Sequence, residues 1–339
     1  MSHSTQQQLD ASHDPLHRHT AGAATQRRAG YGSSRVLNRR ARLTFTGALA
    51  GEIIKLWSLN STRILLAVTV ALSAGMAALS AWSTTFIASI DPLTGKTLDD
   101  PQPIAAANVW SLLGASSSTA GLVIGIFGVM AMTSEYTTSS IQSSLAANPR
   151  RGMFYAAKSV AVAAFALAGG VVGILAAGAV IIAMTSGHDV TPLGGDQWRI
   201  IPVIVAGCPG ALMLTSLMAL GLGGLTRSTV GGVCSVVGLL MILSTVVSLT
   251  SLIAGKIKWL GTLAYLTPDS AMNNFLSAGV LDGSATTVTV DSQGASAQTV
   301  ANDPGYWIPE WWQSGLIFLA WVALFWIAGL IVTKRADIK

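Results

Sequence analysis

The chain has 339 residues, 51% of them hydrophobic and only 10% charged, with a formal net charge of +5 and a mean hydropathy of +0.56. A soluble domain carries about 25% charged residues, so this composition excludes an ordinary water-soluble globule. The charges are also clustered: Ile64–Ile90, Pro101–Ser134, Ser159–Gly187, Ile200–Thr226, Ser228–Gly255 and Trp311–Thr333 contain none, and each run exceeds the roughly 20 residues a helix needs to cross the hydrocarbon core.

Residues 1–42 are rich in Ser, Gln, His, Thr and Arg and show no apolar period. They read as a disordered basic N-terminal tail. Arg35, Arg39, Arg40 and Arg42 suit an anionic lipid surface. His13, His17 and His19 have a spacing that can hold a metal, but without a structured scaffold they read as part of a flexible tail, and no metal is expected. The first apolar run begins only after some 60 polar, basic residues, too far in for a cleaved signal peptide.

Leu43–Thr62 follows. Phe45, Leu49, Ile53 and Leu56–Trp57 recur at helical spacing, with Glu52 and Lys55 off that stripe. The pattern predicts a short amphipathic helix lying in the inner interface before the first span. A backbone in lipid must satisfy its own hydrogen bonds, so the apolar runs are expected to form six transmembrane helices, at about 63–86, 108–133, 157–185, 200–225, 229–254 and 313–333. The fold class is therefore an all-α polytopic membrane protein, with residues 43–334 as its membrane domain.

With the N-terminus inside, the inner side carries 16 of the 20 Lys and Arg and 5 of the 15 acids, and the outer side 4 and 10. The positive-inside rule selects this N-in, C-in arrangement. Trp82, Trp110, Trp198, Trp259, Trp307, Trp311 and Trp312 then fall at the outer edge, and Trp57 at the inner one.

The loop after the first span holds "LTGKT", but a phosphate loop needs Gly where Ile90 stands. Gly121 and Gly125, and Gly169 and Gly173, have the spacing that lets helix backbones approach. Pro209 is expected to kink the fourth span. Ser116–Thr119, Thr215, Ser216, Ser244 and Thr245 either line a path or bond back to their own helices. Cys208 and Cys234 read as buried free thiols. The extracellular segment 255–312 is the longest loop. In it Gly261–Ser277 looks like a helical pair broken at Pro268 that dips into the outer leaflet, and 285–300 like a small hairpin.

No Asp, Glu, Lys, Arg or His falls inside the charge-free runs. Carriers driven by ion gradients usually need ionisable groups there. No catalytic constellation is visible, so the chain is not read as an enzyme, nor does anything point to nucleic acid. If cargo moves uphill, another polypeptide must supply the work.

The segment 135–158 lies inside, between the second and third spans. Thr137 or Thr138 can cap a short helix, Glu135 suits its positive end, and Asn148 before Pro149 ends it. Ile141 and Leu145 form a thin apolar ridge, and Arg150 and Arg151 follow. The segment reads equally as a docking helix for a partner or as a loop pinned inside by its arginines.

Glu135-Tyr136, Leu145, Pro149, Arg151 and Ala157-Lys158, with the inner helix, the six spans, the "YLTP" stretch and the "TKRADIK" tail, resemble the membrane (permease) subunit of type 2 ABC exporters. That resemblance implies a cytoplasmic coupling helix in 135–158 resting on a separate ABC ATPase, which would bind ATP and Mg. No cofactor is expected on this chain itself. It implies Glu52, Glu135, Ile141, Leu145, Pro149, Arg150 and Arg151 as ATPase-coupling residues. It also implies a second permease subunit, identical or a sibling, a plasma-membrane location among lipid, and export of a cargo the sequence does not name. An ion-gradient-driven carrier and a non-transporting scaffold or immunity protein stand as the rival readings.

Overall fold

In the computed structural model the described residues are 44–91, 94–137, 151–253, 258–280 and 306–335. Away from water an apolar run can satisfy its peptide groups only internally, and each run becomes a helix. In chain order the elements are α1 (Phe45–Ser58), α2 (Asn60–Ala88), β1 (Ile104–Ala105), α3 (Ala106–Thr137), α4 (Arg151–Thr185), β2 (Val190–Thr191), a 3₁₀ turn (Gly195–Arg199), α5 (Ile200–Thr226), α6 (Thr229–Val237), a π turn (Gly238–Ile242), α7 (Leu243–Ile253), α8 (Lys258–Leu266), α9 (Pro268–Leu276) and α10 (Trp311–Arg335). Among the described residues six helices are long and apolar enough to cross a membrane: α2, α3, α4, α5, the composite of α6, the π turn and α7, and α10. The chain is an all-α polytopic membrane protein.

The second and third spans are longer than the sequence predicts. α3 continues through Thr137, so Glu135 and Tyr136 belong to its last turns and not to the start of a separate helix. α4 begins at Arg151, which puts Lys158 two turns inside it. Residues 138–150, the rest of the expected coupling helix, and residues 285–300, the expected hairpin, lie outside the described residues.

The centre of the bundle is α3 and α5. Their most apolar windows are 61% and 56% buried, against 17% to 39% for the other spans. The outer helices instead turn large apolar side chains outward, among them Leu79, Ile87, Leu175, Ile182, Leu316 and Leu324. In water that surface would be a severe liability; in lipid it is the expected one.

Small residues set how closely the central helices cross. A methyl group on Gly221 of α5 would lie 2.2 Å from the Phe325 carbonyl oxygen of α10, and one on Gly128 of α3 would lie 2.3 Å from the Ser216 oxygen of α5. Dispersion between backbones holds these crossings, since lipid gives no hydrophobic drive between helices. Of the predicted pairs, Gly125, Gly169 and Gly173 are approached less closely and by side chains, those of Val236, Leu66 and Ser73 at 2.8, 2.8 and 3.1 Å, whereas at Gly121 a methyl group would find only ordinary contact. Of the hydroxyls in doubt, Ser116, Thr215 and Ser216 bond back to carbonyls of their own helices. Ser118 and Ser244 reach other elements instead. Cys208 is buried as expected; Cys234 is exposed, because α6 lies at the bundle's edge with that face outward.

The helical pair expected around Pro268 is present as α8 and α9. Pro268 occupies the first turn of α9, where its missing N–H costs nothing. The break is held by Thr267: its hydroxyl has the Ala264 carbonyl at 3.1 Å and the Ser270 hydroxyl at 2.9 Å as alternative acceptors for its one hydrogen, and accepts from Ser244 of α7 at 3.0 Å. The pair wedges deep beside the spans. The Trp321 indole, about 15 Å along α10 by helix rise, donates to the Leu266 carbonyl at 2.8 Å. At the same end, β1 and β2 pair in parallel, Ile104 with Val190, and tie the start of α3 to the end of α4.

Gly221→Ala should cost about 1–3 kcal/mol through overpacking, read as a lowered unfolding midpoint in detergent micelles. Gly178→Ala, where a methyl group meets nothing within 4 Å, should leave the midpoint level or raise it. Equal effects would refute a close-contact role for the α5–α10 crossing.

Candidate functional site

Thr44 caps α1 by accepting from the Gly47 N–H. The helix ends at Leu59, whose extended backbone turns the chain into α2. Arg63 fixes that corner: it donates to the Trp57 carbonyl at 3.1 Å and its guanidinium lies over the Trp57 ring at 5.5 Å. Set at this angle, α1 directs Leu49, Glu52, Lys55 and Leu56 at the bundle and leaves Ile53, Ile54 and Trp57 exposed. Both charged residues therefore face the protein beside Leu49 and Leu56, while Ile53, Ile54 and Trp57 face outward.

The inward face meets two charges. The Lys158 ammonium of α4 donates to Glu52 Oε2 at 2.6 Å and lies 2.6 Å from Glu135 Oε1 of α3. Lys55 donates to the same Glu135 oxygen at 2.6 Å. Two acids and two bases thus close on one another with no net charge. Glu135 and Lys158 are each 1% exposed, Glu52 11% and Lys55 36%. The Phe154 ring covers the Lys158 ammonium at 5.3 Å. Glu135 Oε2 is also buried and takes no hydrogen bond among the described residues.

Taking such ions out of water costs several kcal/mol each, and close pairing offsets it. The cluster is therefore a clamp, intolerant of losing either of its fully buried members, Glu135 or Lys158. It pins α1, the end of α3 and the start of α4 at a single point. The end of α10 is strapped to the same region: Arg151 donates to the Lys334 carbonyl at 3.2 Å, Tyr155 to the Trp326 carbonyl at 3.0 Å, and the Trp326 indole to Ser159 at 2.9 Å.

Of the sequence-derived site residues, Glu52 and Glu135 are brought together, with Lys158 between them. Arg151, at the start of α4, stands apart from them and donates instead to the Lys334 carbonyl of α10. Ile141, Leu145, Pro149 and Arg150 lie outside the described residues. Lys55 and Lys158 are the members that sequence reasoning did not place in the site. The available signal was charge balance, two acids and two bases bordering otherwise charge-free runs.

A second polar constellation lies toward the other end of α3. Ser118 donates to Asp269 Oδ1 at 2.7 Å, and Asn273 donates to Oδ2 at 3.2 Å. Asp269 lies in the segment 255–312, expected as the outer loop, yet it reaches Ser118, about 18 Å along α3 by helix rise. Burial pushes its carboxyl above the ordinary carboxylate value, and the bonds from Ser118 and Asn273 oppose that shift.

Lys158→Ala should destabilise the protein by about 3–5 kcal/mol, the range for breaking a buried ion pair. Lys55→Ala, at a solvent-accessible position, should cost no more than about 1 kcal/mol. Chemical unfolding in micelles checks both, and equal losses would show that the clamp is not centred on Glu135 and Lys158. Compared with models of known protein families the chain matches none, and no curated protein is similar enough to count as a relative.

Proposed function

We propose that the chain is the transmembrane subunit of an ATP-driven ABC exporter. It would form the translocation path with a second permease subunit and dock on a separate ATPase. The observation that carries this reading is the bond between Glu135 and Lys158. These residues are the two ends of the motif on which the resemblance rests, and they stand at the root of the segment that leaves α3 and returns in α4. The same bond network takes in α1 through Glu52.

Mechanically, a push on 138–150 from below enters the bundle at this clamp and is shared by α1, α3 and α4. Close-packed helices respond to such a load by changing between discrete packings, and nucleotide on the partner would bias which one is occupied. In this reading both termini are cytoplasmic, the membrane is the plasma membrane, and ATP and Mg stay on the partner.

A second reading, a carrier driven by an ion gradient, is favoured by one specific feature: the carboxylate of Asp269 set against α3. A titratable group beside the spans is what such a carrier requires.

Ile141→Asp should abolish co-purification with the ATPase and ATP-dependent transport in vesicles, while expression and folding persist. Transport that survives without any ATPase would sink the proposal. Loss of transport on collapse of the proton gradient, with ATP maintained, would select the carrier.

A further inference from the structure

A cleft of about 220 Å³ opens between α3, the π turn, α7 and α9. Ser118, Thr119, Ser244 and Thr245 contribute hydroxyls to its wall, Leu122, Leu240 and Met241 contribute apolar surface, and Asp269 contributes its only charge. We propose that this cleft binds a small organic ammonium group, with Asp269 as its counter-ion. Read with the proposed function, on which this last step rests, the cleft makes amine-bearing compounds the cargo class.

The charge comes first. Among the described residues no Lys, Arg or His pairs with Asp269. Its side-chain partners are neutral, one on each oxygen. A carboxylate accepts about four hydrogen bonds, so both oxygens keep acceptor capacity toward the cleft. A half-buried negative charge left with neutral partners is costly unless a cation completes it.

The wall chooses the cation. Calcium takes six to eight oxygen ligands and magnesium six, and here one carboxylate stands among hydroxyls and three apolar side chains. An ammonium on an apolar stem matches better: N–H groups for Asp269 and for the oxygen lone pairs of Ser118 and Ser244, carbon for Leu122, Leu240 and Met241. The volume lies below the roughly 300 Å³ at which drug-sized sites begin, which sets the scale at a small amine or the amine end of a larger molecule. A proton relay alone would need neither the volume nor the apolar wall.

The helix opposite Asp269 supplies an independent sign. Leu240 and Met241 belong to the π turn that interrupts the fifth span, and such turns recur at functional sites. At the rim Met241 and Thr245 are exposed, so the cleft is open to entry.

The test uses the full chain in phosphatidylcholine nanodiscs without any ATPase, with empty nanodiscs as blank. The probe is phenethylammonium, followed by titration calorimetry. Its neutral and anionic counterparts are 2-phenylethanol and 3-phenylpropionate. Phenethylammonium should bind at least tenfold more tightly than either, and Asp269→Asn should weaken it at least tenfold. Thr245→Trp, which fills the rim and leaves the carboxylate and its bonds in place, should also remove binding without changing the melting temperature or gel-filtration profile. Equal binding of the alcohol, undiminished binding in both variants, or competition by calcium at equimolar concentration would overturn the assignment. Absence of amine binding, with ATP-driven export of another cargo intact, would sink the cleft and spare the exporter reading. Amine binding by a chain that no ATPase recruits would do the reverse.

Discussion

Two buried charges, Glu135 and Lys158, set the frame at the α1 end of the bundle. Neither is stable there alone: each would carry a desolvation cost that only the other, with Glu52 and Lys55, offsets. Because the four come from α1, α3 and α4, their pairing fixes the angle of α1 against the bundle and the relative heights of α3 and α4. The inward turn of α1's polar face follows from the same requirement. Its apolar residues Ile53, Ile54 and Trp57 are free to face lipid once Glu52 and Lys55 have partners inside.

Above the clamp, shape governs. α5 runs through the centre because it can be approached on two sides: α10 crosses at Gly221 and Gly329, α3 at Gly128. Backbone contact of this kind leaves little slack, so displacement at one end is transmitted along rigid rods and not absorbed. The straps from Arg151, Tyr155 and Trp326 tie α10 to the clamped end of the bundle. The wedge of α8 and α9 is held differently, by side-chain hydrogen bonds from Ser118, Ser244 and Trp321 and by one from Asn274 of α9 to Ser314. Such bonds can be exchanged at lower cost than a close-packed crossing, which suits this wedge to respond to what occupies the cleft beside Asp269.

The six spans, the helix before them and the break at Pro268 were legible in the amino-acid sequence, because each is a local property. Hydrophobic length, helical period and proline chemistry act within a few turns of the residues that carry them. The candidate site was legible only in part. Glu52, Glu135 and Lys158 each stood out in the sequence, but that Lys158 pairs with both acids did not, since an ion pair between residues 106 positions apart has no trace in local pattern.

The tertiary structure alone decided three further matters. It extended α3 through Glu135, because that carboxylate finds its counter-ions inside the bundle. It put Asp269 against Ser118, because α8 and α9 fold back beside the spans. It also separated the hydroxyls that close on their own helices from those that bridge elements. Local sequence determines which segments leave water. Which polar groups leave with them depends on whether a partner waits inside, and that is settled only when distant segments meet.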